Sequence, residues 1–156
     1  MNKPKSITLF VLLCLIVQVV GSFWTKEGLF TWYPMIAKPS WTPPNWLFGP
    51  VWTILYIMIA IAGFLIYRSK KGEKRSQALL FYGIQLSLNF LWSFLFFSLQ
   101  SPLLGLIDIS LLALFIILTI LYTWKVKRSA SILLIPYFLW VLYAAGLNAS
   151  IWFLNK

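Results

Sequence analysis

Of 156 residues 61% are apolar and only 10% charged, and the mean hydropathy of +0.86 lies far outside the range of soluble domains. The net charge of +10 comes with no histidine, one cysteine and three acids, Glu27, Glu73 and Asp108. These counts exclude Ser/His/Asp and Cys/His triads, histidine-ligated metal or haem, internal disulfides and paired-carboxylate catalysis, and no metal site is expected.

Five apolar stretches can be drawn, at about residues 7–23, 46–67, 78–99, 102–124 and 132–154. Each is close to the ~20 residues a helix needs to cross hydrocarbon. The expected fold class is all-α, a polytopic membrane protein forming one five-transmembrane-helix bundle over residues 1–156. The first stretch follows Lys3 and Lys5, runs longer than a signal-peptide core and ends without a small-x-small cleavage site, so it reads as a retained helix. Cys14 in its middle reads as a small buried apolar residue.

Residues 22–45 form the expected long outer loop, punctuated by Gly28, Pro34, Pro39, Pro43 and Pro44 and rich in aromatic rings. From Lys38 to Trp52 the chain carries four prolines and three tryptophans. Each proline fixes φ and removes a donor, so the segment reads as a stiff aromatic lid over something held between helices. The second stretch places Trp52, Tyr56 and Ile59 along one side, with the small residues Ala60, Ala62 and Gly63 beyond. Pro50 here and Pro136 in the fifth stretch are expected to bend their helices.

In the third stretch Gln85, Asn89, Trp92 and Phe96 follow i, i+4, i+7, i+11 spacing and share one helix face. The fourth holds Asp108, whose insertion into hydrocarbon costs at least ~2.5 kcal/mol. It should therefore face the bundle interior and find a donor such as Asn89 or an indole, as a structural knot or as a ligand contact. The fifth repeats the helical spacing with Trp140, Ala144, Leu147 and Ile151, beside Asn148. One aromatic stripe reads as packing or an interfacial belt, but three on three helices point to a pocket for a flat apolar molecule.

Ten basic residues, Lys3, Lys5, Arg68, Lys70, Lys71, Lys74, Arg75, Lys125, Lys127 and Arg128, fall on one side of this topology, and Lys26, Lys38 and Lys156 on the other. That asymmetry puts the N-terminus in the cytoplasm and the C-terminus outside. It accounts for the basicity through anionic membrane lipids, with no nucleic-acid partner. The chain reads as a bacterial inner-membrane protein.

Several motifs occur in order along the chain: Trp32-Tyr33, Lys-Pro-Ser-Trp-Thr-Pro-Pro from Lys38 to Pro44, and Phe-Gly-Pro-Val-Trp from Phe48 to Trp52. Gln85, Asn89 and Trp92 follow, then Asp108, Leu111 and Leu112, then Pro136, Tyr137, Trp140, Leu147, Asn148 and Trp152. Through these residues the chain resembles the translocator protein family, also called tryptophan-rich sensory proteins or peripheral-type benzodiazepine receptors. The resemblance implies a five-helix bundle, commonly a homodimer, that binds tetrapyrroles such as protoporphyrin IX in a pocket beneath the long loop. The ligand-binding residues it implies are Tyr33, Pro44, Trp52, Asn89, Trp92, Asp108, Trp140 and Ala144.

Three functions follow. The favoured one is a membrane receptor or sensor for porphyrin-like ligands, with no cofactor required and Lys38 or indole and amide donors meeting the ligand's acidic groups. The second is a light- and oxygen-dependent porphyrin-degrading enzyme, in which the resemblance implicates Trp52 and Trp140; the third is tetrapyrrole or lipid transport. The sterol-recognition pattern of animal members is absent, its Tyr and basic positions being Ala149 and Phe153.

Overall fold

The computed structural model describes residues 3–156, with side chains from residue 6 onward; the charged groups of Lys3 and Lys5 lie outside the described residues. Five helices cross one another in a single bundle: α1 (Lys3–Thr31), α2 (Asn45–Arg68), α3 (Glu73–Ser93), α4 (Pro102–Trp124) and α5 (Arg128–Leu154). All five are long and apolar enough to span a membrane. Hydrocarbon offers no partner for backbone N–H and C=O groups, so each spanning segment satisfies its own, and among the described residues there is no strand. The chain is an all-helical integral membrane protein.

The packing order is not the chain order. Helix α4 lies most extensively against α5 and α3, α1 lies against α2 and α3, and α2 closes onto α5. Ile59, Ala62 and Ile66 of α2, Ile116 of α4, and Leu134, Tyr137 and Val141 of α5 are fully sealed between helices. Gly105 permits a close approach of α4 on the loop side, since a Cβ there would stand 2.8 Å from Asn148 Oδ1 and 2.9 Å from the Phe96 ring. Helices α2 and α5 continue unbroken through Pro50 and Pro136.

The expected loop over residues 22–45 is too long at its start. Helix α1 continues to Thr31, and the connection shrinks to residues 32–44, with one 3-10 turn at Tyr33–Met35. The polar residues that suggested a loop fold back onto their own helix: Ser22 Oγ donates to Val19 O at 2.7 Å, Thr25 Oγ1 to Gly21 O at 2.9 Å and Thr31 Oγ1 to Glu27 O at 2.6 Å. Gly28 is helical because α1 touches the end of α3 there. A Cβ at Gly28 would meet the Phe97 carbonyl oxygen at 2.7 Å.

That end of α3 is unusual. After Ser93 the helix widens into a π-turn, Phe94–Ser98, closed by Leu99 N–H donating to Phe94 O at 2.9 Å. The chain then reverses through Gln100, whose φ of 51° lies in the left-handed region, and Ser101 caps α4 by accepting from Leu104 N–H at 3.3 Å, with Pro102 in the first turn. The widened turn presents Phe96 and Phe97 to the interior, both buried.

The connection over residues 32–44 is tied down on the α5 side. Asn155 accepts from Ala37 N–H and donates to Ala37 O, both at 2.9 Å, and Tyr143 Oη donates to Trp41 O at 2.8 Å with the two rings edge to face. Lys38 Nζ donates to Tyr33 O at 2.6 Å and Ile36 O at 2.8 Å while lying 4.9 Å from the centre of the Tyr33 ring. At the opposite end Arg75 caps α2, its guanidinium donating to Tyr67 O at 2.6 and 3.0 Å and stacking on the Tyr67 ring.

Inside the bundle the apolar packing is interrupted by a chain of amides and phenols. Tyr56 Oη of α2 donates to Asn89 Oδ1, Asn89 Nδ2 of α3 donates to Tyr137 Oη of α5 at 2.8 Å, and Tyr137 Oη donates to Gln85 Oε1 at 2.8 Å. One turn beyond Asn89, nearer the loops, Trp92 Nε1 donates to Asn148 Oδ1 at 3.1 Å, and Asn148 Nδ2 to the Pro102 carbonyl at 2.7 Å. Asp108 joins neither group, against expectation. Asn89 is spent on the tyrosines and the Trp92 indole on Asn148, and neither Asp108 oxygen makes a hydrogen bond among the described residues.

Two outcomes check this architecture. Gly28→Ala is expected to destabilise by about 1–3 kcal/mol, because the new methyl meets backbone, whereas Gly83→Ala, with nothing within 4 Å, stabilises by up to about 1 kcal/mol. Circular dichroism during heating in detergent reads both. Asn89→Ala strands the Tyr56 hydroxyl and removes one of the two bonds of the Tyr137 hydroxyl, and is expected to cost about 1–3 kcal/mol in unfolding by sodium dodecyl sulfate; a cost indistinguishable from zero contradicts the tie.

Candidate ligand-binding site

A cavity of about 360 Å³ lies in the loop-side half of the bundle, walled by α1, α2, the end of α3 and α4. Its deep wall is Tyr56, Asn89, Ile109 and Leu112, all buried. Trp52 and Trp92 supply indole faces from either side, and Tyr33 closes the loop end. The volume is within the roughly 300–1,000 Å³ usual for small-molecule sites, and the lining is mostly apolar and aromatic with few polar groups, the composition that suits a flat lipophilic guest.

Each wall residue is held by something behind it. Trp52 packs on Tyr56 at 5.6 Å and edge-on to Tyr137 at 6.3 Å. Trp92 is fixed twice, by its bond to Asn148 and by stacking on Phe96 at 5.1 Å with only 15° between the planes. Asn89 reaches the cavity with both ends of its amide already engaged. Tyr33 is held by Lys38 on one face and by the Phe96 and Phe97 rings. Burial first, and then nearby Tyr143, push the Tyr33 phenol up to about 12, so it stays neutral at any ordinary pH.

Of the eight expected ligand residues, the structure brings Tyr33, Trp52, Asn89 and Trp92 to this cavity; Pro44, Asp108, Trp140 and Ala144 do not line it. Ala144 is buried in the helix core, and Asp108 is buried on α4 away from the cavity wall. Trp140 lies one ring removed: its indole meets Phe48 edge-on at 6.1 Å, and Phe48 itself faces the cavity. Pro44 sits at the exposed N-terminal boundary of α2. Lys38, expected to meet acidic groups of a ligand, spends its ammonium on the Tyr33 and Ile36 carbonyls and does not line the cavity.

Sequence reasoning missed a whole wall. Val17, Gln18, Gly21, Ser22, Thr25, Lys26 and Leu29 of α1 all line the cavity. The signal was present, for Gln18, Gly21 or Ser22, Thr25 and Leu29 recur at three- to four-residue spacing along one helix face. It was hidden because half of that stripe had been assigned to a loop. On α1 and α2 the lining residues Ser22, Lys26, Phe30, Asn45, Trp46 and Gly49 are exposed, while those from α3 and α4 are buried or half-buried. The cavity therefore opens sideways, between the loop-side ends of α1 and α2. Below the opening Gln18 Nε2 donates to Thr53 Oγ1 at 2.9 Å and joins the two helices.

Comparison with known proteins agrees with this architecture. Residues 10–153 match the TspO/MBR family. The chain is 47% identical over 146 residues to the Tryptophan-rich protein TspO of Archaeoglobus fulgidus, covering 93% of this chain and 94% of that one. It is 48% identical over 158 residues to the Tryptophan-rich protein TspO of Chlorobaculum tepidum, covering 99% of each. The human Translocator protein is 36% identical over 136 residues, 85% of this chain and 80% of its own length. A five-helix membrane bundle whose sequence matches from Phe10 to Phe153 belongs to the TspO/MBR family.

Proposed function

We propose that this protein is a membrane receptor for flat lipophilic ligands of the tetrapyrrole type, with protoporphyrin IX as the probe of choice. The observation that carries the reading is the juxtaposition of Trp52, Trp92 and Tyr33 around one cavity whose floor is the Asn89 amide. Aromatic contacts contribute about 0.5–1.5 kcal/mol each beyond area burial, so three rings on a planar guest add about 1.5–4.5 kcal/mol, roughly one to three orders of magnitude in affinity. The open side matters here, because a ring system larger than the enclosed 360 Å³ extends past the rim. In the same reading the protein sits in a bacterial inner membrane, with the cavity in its outer half.

A second reading is favoured by one detail. The Trp52 indole faces the cavity directly and Trp140 connects to it through Phe48, which is an arrangement suited to giving an electron to a photo-excited porphyrin, with oxygen as the final electron acceptor. In that case light and oxygen convert the bound ring.

Saturable quenching of intrinsic tryptophan fluorescence by protoporphyrin IX tests the first reading. Trp52→Ala is expected to weaken binding by about tenfold, from the lost indole face, and Trp140→Phe by less than about threefold. Equal losses at the two positions would move the site toward α5. For the second reading, illumination of the complex should yield a new absorbing product, with Trp52→Phe slowing conversion more than Trp140→Phe; an unchanged spectrum removes it.

A further inference from the structure

The lining of the cavity carries one charge. Lys26 stands on α1 at the sideways mouth, exposed, with no hydrogen bond or ion pair among the described residues. The acid next to it in sequence, Glu27, is exposed and does not line the cavity. Across the mouth stands Asn45, the first residue of α2, where the helix presents unpaired backbone N–H groups and the positive end of its dipole. Lys38 is internally committed to the 32–44 connection. A cation and a helix N-terminus therefore face each other over an opening whose interior is apolar and aromatic.

We infer that Lys26 is the docking cation for an anionic group on the ligand, so that the site selects planar amphiphiles with a carboxylate at one edge and takes them from the interfacial zone between α1 and α2. This inference rests on the proposed ligand-binding function and adds the chemical class of ligand and its orientation: acid edge at the mouth, apolar body against Trp52 and Trp92. The long lysine stem lies along the apolar rim of the mouth while its ammonium stays at the polar boundary, where a carboxylate of a membrane-dissolved ligand also resides. A neutral sterol or an esterified ring fills the interior but finds nothing for Lys26 to hold.

The test compares protoporphyrin IX, which has two carboxylates, with its dimethyl ester, titrated against wild type, Lys26→Gln and Lys26→Arg in nanodiscs of uncharged lipid. Lys26→Gln is expected to weaken the free acid by about 5- to 20-fold, the size of one charge-assisted contact at a half-open site, and to leave the ester within about twofold. Lys26→Arg restores the free acid to within about threefold of wild type. Unaltered circular dichroism and melting of the two variants place the effect at the site. Equal loss for both ligands, or no loss for either, overturns the inference while leaving the receptor reading intact. Absence of saturable binding of both ligands to wild type overturns the receptor reading and the inference with it.

Discussion

In a lipid medium helices gain little from hiding apolar side chains from one another, and what sets their spacing is close packing and the few polar groups that must find partners. Here that role falls to the Asn89 amide. Its oxygen takes the Tyr56 hydroxyl from α2 and its nitrogen gives to the Tyr137 hydroxyl on α5, so one side chain of α3 fixes three helices. One turn nearer the loops on α3, Trp92, with Asn148 and the Pro102 carbonyl, repeats the device between α3, α5 and α4. Helix α1 stands outside both ties. It is held by apolar contact, by the Gly28 approach to Phe97 and by the Gln18–Thr53 bond. The cavity lies between these ties and α1: Tyr56, Asn89 and Trp92 form its inner wall and α1 the wall opposite.

The helix count, their order and the interior face of α3 were legible in the sequence because hydrophobic length and 3.6-residue spacing are local properties. Gln85, Asn89, Trp92 and Phe96 all turn out to be inside or at the cavity wall. The end of α1 was not legible. Serine, threonine and glycine between Gly21 and Thr31 carry the composition of a loop, and only contact with the π-turn and back-bonding hydroxyls makes them helical. The α5 stripe shows the other limit. Trp140 and Ala144 do share a face, yet spacing cannot say whether that face meets a cavity or another helix, and here it meets α2 and the connecting segment.

Asp108 and Lys38 carry the same lesson in electrostatic form. Charge in an apolar chain signals that something is near it, but not what. Lys38 is consumed in bracing the turn that positions Tyr33, and Asp108 is buried with no hydrogen-bond partner among the described residues while both donors nominated for it serve other groups. Lys26 counts in the sequence only toward the charge asymmetry, and helix α1 brings it to the rim. In this member of the TspO/MBR family the residues around the cavity thus differ from the set that motif spacing alone selects.

A mouth that faces the hydrocarbon edge changes what concentration means for this protein. In the proposed receptor reading, molecules reaching it come out of the bilayer, so occupancy follows moles of guest per mole of lipid and not the amount dissolved in buffer. Diluting a proteoliposome suspension with water leaves that ratio nearly constant for a strongly partitioning compound. Adding empty vesicles lowers it. Apparent dissociation constants should therefore scale with total lipid, and rankings of ligands measured in micelles will mix intrinsic fit with each compound's preference for detergent.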